Sequence, residues 1–193
     1  MSLKTEKWKK WIEDIKTDLQ DTLVNRQIFK RTQEILKENT ELNGPDTFNI
    51  FLAKNYIAGG SMGVRRHLKS QNGSISLLGL LEDLKDNCIC EAGNLFQAIG
   101  KEEIEKDILE LKNISEKIEE FADKRIAHLD KRELDVLPTF GDLHDCMDKM
   151  KDLVKKYLLK INGVGYIDIE PAMQYDFEEI FTKPWKKITE EKE

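Results

Sequence analysis

Proline is scarce in this chain, 4 residues among 193, and glycine numbers only 11, so few positions oblige the backbone to leave regular structure. That scarcity argues against collagen-like, low-complexity and turn-rich β architectures, and leaves helices as the natural reading. Cysteine is rarer still. Cys88, Cys90 and Cys146 are an odd number, which excludes a fully paired disulfide framework, and Cys88-x-Cys90 is too tight for the usual zinc or thioredoxin spacings. They read as reduced, mostly buried thiols of a cytoplasmic protein. No apolar run approaches the ~20 residues that cross a bilayer, and the N-terminus lacks the apolar core of a signal peptide, so no membrane partner is expected. An excess of positive charge is missing too. With 31 Lys+Arg against 37 Asp+Glu the net charge is −6, without the basic field of a protein that clamps duplex nucleic acid through many phosphates. Any nucleic acid would need a local basic site.

Several catalytic signatures are also lacking. There is no Walker A loop, no Gly-x-Ser-x-Gly elbow and no Rossmann fingerprint, because Gly59-Gly60-Ser61-Met62-Gly63 follows a helical pattern rather than a strand. His144, Asp145, Cys146 and Asp148 are close in sequence but alternate around a helix instead of converging as metal ligands do. Neither a metal nor another cofactor is expected.

What the sequence does contain is apolar periodicity in steps of three and four, the mark of one helix face. From Glu6 to Lys37 it runs through Trp8, Ile12, Ile15, Leu19 and Leu23. A second helix starts after Pro45-Asp46-Thr47 and runs through Phe48, Phe51, Leu52, Tyr56 and Ile57 toward Leu68, with Gly59, Gly60 and Gly63 inside it marking a close helix crossing. Ser74 or Ser76 can cap a short helix over Leu77 to Lys85. The clearest stripe is Ile104, Ile108, Leu111, Ile114, Ile118 and Phe121, which predicts a helix from about Glu102 to Leu129. Thr139 can cap a last long helix whose inward face carries Phe140, Leu143, Met147, Met150, Val154, Tyr157 and Ile161, closed by Asn162-Gly163-Val164-Gly165. The last two long helices should pack antiparallel. The expectation is an all-α helical bundle, one domain over residues 1–193, with 166–193 as a partly irregular tail pinned by Phe177, Phe181 and Trp185 and including Ile167-Asp168-Ile169 as one extended segment.

One stripe turns polar. Extending the fourth helix by four and then three places Arg125 and His128 where core residues would stand, on one face if the helix continues. The plain reading is a helix emerging from the core, with Arg125 paired to an acid and His128 bonded near a helix end. The sharper reading is a phosphate-holding arginine beside a histidine that moves a proton near neutral pH, a pairing suited to metal-independent RNA cleavage. A second basic cluster, Arg65-Arg66-His67 with Lys69, closes the second helix, where cations favour the helix dipole without any further role.

Three segments together carry a resemblance. They are Arg65-Arg66 followed by Ser74-Ile75-Ser76-Leu77-Leu78-Gly79-Leu80-Leu81-Glu82-Asp83, then Asp123-Lys124-Arg125-Ile126-Ala127-His128-Leu129-Asp130, then Gly141-Asp142-Leu143-His144. This resembles the abortive-infection U branch of the HEPN superfamily over most of the chain. The resemblance implies a helical bundle that dimerises across its His-bearing helices, within a superfamily whose active members are metal-independent ribonucleases of phage-defence or toxin-antitoxin systems. Its motif places an Arg and then a polar residue a few positions before the His. His128 and Asp123 match, but Ala122 stands where the Arg belongs.

Two readings follow. In one, the chain is a ribonuclease acting on RNA, with His128 as general acid or base, Arg125 as phosphate clamp, Arg65, Arg66 and Lys124 as further phosphate contacts, and Asp123 and Asp130 orienting them. In the other, it is a non-catalytic, dimeric domain that binds a ligand or an antitoxin-like protein, and His128 is a structural hydrogen-bonder.

Overall fold

A computed structural model describes residues 3–39, 47–69, 73–87, 100–128, 130–131, 134, 136–173 and 176–182. The expected turns before Thr47 and at Gln71-Asn72, the connection from Cys88, and Trp185 lie outside these residues. Among the described residues there are helices and no strand: α1 (Leu3–Glu38), α2 (Thr47–Leu68), α3 (Leu77–Asn87), α4 (Lys101–Phe121), a π-turn (Ala122–Ala127), α5 (Phe140–Asn162) and the short α6 (Glu179–Thr182). None of the described helices is long and apolar enough to cross a membrane.

The stripes read for α1, α3 and α5 supply most of the core, whereas that of α2 does so only at Tyr56, because Phe48 and Phe51 are exposed near the start of the helix. Ile12, Ile15, Leu19 and Leu23 of α1 meet Tyr56 and Val64 of α2, the leucines of α3, Ile104, Leu111 and Ile118 of α4, and Met147, Met150, Val154 and Tyr157 of α5 in one continuous apolar cluster. Burial of this size is the main force holding five helices together. The α4 stripe differs in detail. Ile114 is exposed and Phe121 only half-buried, and Asp107, Ser115 and Ala122 take inward places, because a straight helix advances 3.6 residues per turn and drifts off a strict three-four reading. Phe140, also expected inward, is half-exposed at the start of α5.

Local chemistry sets the helix ends. Ser76 Oγ accepts from Gly79 N at 3.0 Å and begins α3. Thr139 and Asp142 form a reciprocal capping box at the start of α5, and Gly163, at φ 69°, closes that helix in the left-handed conformation. Two glycines of α2 serve helix crossings. A Cβ on Gly60 would stand 3.0 Å from Leu143 and Met147 of α5, and one on Gly63 would stand 2.6 Å from Thr22 Oγ1 of α1.

Helices α4 and α5 lie antiparallel, as expected, and an ion-pair ladder shows the register. Glu103 meets Lys156 and Lys160, Asp107 meets Lys156, Glu110 meets Lys149, and Lys117 meets Asp142. Asp107 is itself buried and accepts from the fully buried Tyr157 hydroxyl at 2.8 Å. The segment after α5 is irregular and lies along α1, anchored by buried Ile169. Phe177 and Phe181 touch each other edge to face, but Phe181 stays exposed, so they hold the tail less than expected.

Candidate functional site

The expected site lies where α4 ends, and it ends differently from the sequence reading. The α-helix stops at Phe121, the ladder widens into the π-turn, and His128 is extended at φ −137° and ψ 148°. Arg125 and His128 therefore do not share a helix face, because the three-residue spacing has that meaning only on a continuing α-helix. Both side chains are exposed, and neither is joined by a hydrogen bond or ion pair to another described residue. Asp130 N donates to Lys124 O at 3.0 Å, which turns the chain back after the π-turn.

The surrounding cations are answered by carboxylates. Arg65 Nε donates to Asp123, and Lys69 Nζ donates to the same carboxylate at 2.9 Å and to Glu119 at 2.5 Å. Asp123 thus ties the start of the π-turn to the end of α2. Burial pushes its carboxyl upward, but the bonds from Arg65 and Lys69 outweigh this and hold it below the ordinary range. Lys124 pairs with Glu120 one turn back at 2.5 Å. Arg66 turns to the other side, toward Asp18 of α1 at 3.3 Å, where buried His67 also reaches the carboxylate at 3.1 Å. Arg65 and Arg66 are adjacent in sequence yet serve different neighbours, so they do not converge on one anion.

Ala122, which stands where the resembled motif has an arginine, is 0 % exposed. Its N–H donates to both Ile118 O and Glu119 O where the ladder changes. The position is closed to solvent, so a longer side chain there has no room without displacing its surroundings.

A second polar cluster escaped the sequence reading. On α1, Arg26 continues the buried stripe of Leu19 and Leu23 and is only 4 % exposed. Its guanidinium donates to Asp148 Oδ1 of α5 at 2.7 Å, to His144 O at 3.4 Å and to Glu170 of the tail. Glu170 also accepts from Gln27 at 2.8 Å and from Lys151 at 2.9 Å. Burial raises the Glu170 carboxyl, but those two donors and the charges of Arg26 and Lys151 prevail and bring it down to about 2. Close by, Tyr56 Oη and His144 Nε2 are 2.7 Å apart, and Phe29 and Phe140 stack on Tyr56 at ring distances of 4.0 and 6.0 Å. Burial pushes the Tyr56 hydroxyl up to about 12 and, with the charges of Lys30 and Arg26, pushes His144 below its ordinary value. The signal for this cluster was an arginine standing in step with Leu19 and Leu23. Its acids lie more than a hundred residues away in sequence.

The residues once weighed as a metal set go separate ways. His144 faces Tyr56, Asp148 faces Arg26, and Cys146 is buried, with its thiol raised to about 12 by loss of solvent. A thiol held so high is no nucleophile.

No family model matches this chain, and no curated protein or solved structure matches it either.

Proposed function

We propose that this chain is a HEPN-like helical module of a phage-defence or toxin-antitoxin type system that acts by binding a partner, with the ribonuclease pair of the superfamily dismantled. The observation carrying this reading is Ala122, buried in the core where the motif arginine would be. Pairing of Arg65, Arg66 and Lys124 with Asp123, Asp18 and Glu120 supports it, since a phosphate would have to displace a carboxylate at each. The test is incubation of the purified chain with mixed RNA in EDTA, beside His128→Ala. The expected result is no cleavage above buffer by either protein. Cleavage by the wild type that disappears in an equally stable His128→Ala variant would overturn it.

A second reading, a metal-independent ribonuclease with a rearranged site, is favoured by one observation. Arg125 and His128 are near neighbours, exposed, and bonded to no other described residue. In that chemistry His128 takes the proton of a 2′-hydroxyl, and Arg125 stabilises the charge growing on the phosphate. The same incubation decides between the two. A homodimer, which the resemblance implies, belongs to either reading and is checked by light scattering.

A further inference from the structure

The chain after α5 is held to the bundle in an unusual way. It runs beside α1 in the same direction, and polar side chains hold it at Tyr166, Ile167, Ile169, Glu170 and Glu178. Asn162 Nδ2 donates to Glu13 at 2.7 Å, Lys16 Nζ reaches Tyr166 Oη at 3.4 Å, and Gln20 Nε2 donates to the Ile169 carbonyl at 2.8 Å. Gln27 and Arg26 follow on Glu170, and Arg31 grips Glu178 with two bonds at 2.7 and 2.9 Å. Helix α5 adds Lys155 on the Ile167 carbonyl and Lys151 on Glu170. Of the aliphatic side chains here, Ile169 is 2 % exposed while Ile167 is 99 % exposed.

This is the grammar of peptide recognition. Amide and ammonium donors take main-chain carbonyls, one notch takes an aliphatic side chain, and a fixed set of cations takes the carboxylate that follows it. Nucleic acid offers neither the carbonyl ladder nor the aliphatic side chain. The deepest part of the face is Arg26, whose buried charge demands an anion, because a guanidinium left unanswered out of water is costly. Glu170 answers from the tail, and Asp148 answers from α5.

We infer that this face of α1 and α5 is a docking site for an extended acidic peptide of a partner protein, one that sets an aliphatic residue and then a carboxylate where Ile169 and Glu170 now lie. The chain's own segment is the internal ligand that such a peptide displaces. Charge complementarity and the donor pattern commit the face to that occupant, and the proposal holds whether or not the His128 corner cleaves RNA. Gly163 and Gly165, at the root of the segment, supply backbone freedom for release. A tethered ligand competes at an effective concentration of roughly millimolar, so an outside peptide gains when the internal one is weakened.

The experiment uses the full chain and a fluorescein-labelled peptide copying Gly165 to Met173, read by fluorescence anisotropy. Glu170→Gln in the chain weakens the internal ligand and should tighten probe binding about 10-fold over the wild type. The same Glu170→Gln change in the probe should weaken binding to the loosened chain, as should added salt. Circular dichroism checks folding. Should Glu170→Gln fail to fold, Ile169→Ala, which takes the aliphatic anchor from the internal segment and leaves the face of α1 and α5 unaltered, takes its place. In the unaltered chain, excess peptide should speed amide exchange over 166–173 and leave α3 unchanged. Absence of saturable binding to the loosened chain, or binding indifferent to the probe's carboxylate, would overturn the proposal.

Discussion

At the scale of single residues, Ala122 and Glu170 are opposite cases of one rule: a buried charge is tolerated only where something answers it. Ala122 is fully buried and its N–H is held by helix carbonyls, so a guanidinium placed there would have to leave water. Ala122→Arg, which would complete the motif that the sequence resembles, is therefore expected to lower stability by about 3 kcal/mol or more and to produce no RNA cleavage. Urea denaturation and the EDTA assay check the two halves of that statement separately. Glu170 is the answered case. Its carboxyl, at about 2 in the folded chain against an ordinary 4.5, binds fewer protons than the unfolded chain does across that interval. Its contribution is thus fully present above 4.5 and is lost as the pH falls toward 2. Melting temperatures between pH 6 and pH 2.5 should fall more gently for Glu170→Gln than for the wild type, from a lower starting value. Parallel curves would mean that Glu170 does not contribute as its surroundings imply.

At the scale of elements, the glycines of α2 separate conformational cost from packing. Gly59 has nothing within 4 Å of an added Cβ, so Gly59→Ala should stabilise by roughly 0.5 to 1 kcal/mol through helix propensity alone. Gly63→Ala meets Thr22 Oγ1 at 2.6 Å on a buried, branched side chain that cannot swing aside, and should destabilise by about 1 to 3 kcal/mol. Thr22→Ala in the same chain should recover much of that loss, and a thermal-denaturation double-mutant cycle measures the coupling. The helices themselves were legible because apolar spacing reports which face is buried, and the Ser76 and Thr139 caps and the Gly163 stop were legible because each depends on a single side chain or its absence. The end of α4 was not. Nothing in Asp123-Lys124-Arg125 announces a π-turn, because it accompanies contacts made to Asp123 by Arg65 and Lys69 of another helix. Arg26 was missed for a related reason. A charged residue after Leu23 reads as the end of a buried stripe unless its distant acids, Asp148 and Glu170, are known.

At the scale of the whole molecule, the titrating groups predict an acid response in two stages. The perturbed carboxylates are held below their ordinary values by hydrogen-bonding partners, His67 and then the charge of Arg66 for Asp18, and lysine or arginine among the partners of Glu103, Glu110, Asp123 and Glu170. Each stabilises the fold above its ordinary value of 3.8 or 4.5 and ceases to do so below its depressed one, so together they make the lower stage. His144 makes the upper one. Burial, then the charges of Lys30 and Arg26, hold it below 6.5, while Asp148 and Asp145 oppose them. The unfolded chain therefore binds the extra proton first, and this contribution, full above 6.5, declines as the pH falls. The structural event is specific. In the Nδ1–H tautomer of His144, Tyr56, whose hydroxyl stays protonated far above neutrality, donates to Nε2, and protonation of the ring turns Nε2 into a donor and reverses that bond. Because Tyr56 stacks on Phe29 and lies beside Phe140, the reversal is felt at the contact among α1, α2 and α5. In a plot of melting temperature against pH from 8 to 3, the wild type should decline gently below 6.5 and steeply below 4.5. His144→Gln, which keeps an acceptor and removes the titration, should remain level through the first interval and fall with the wild type in the second. A His144→Gln curve that still declines below 6.5 would move the upper stage to another group.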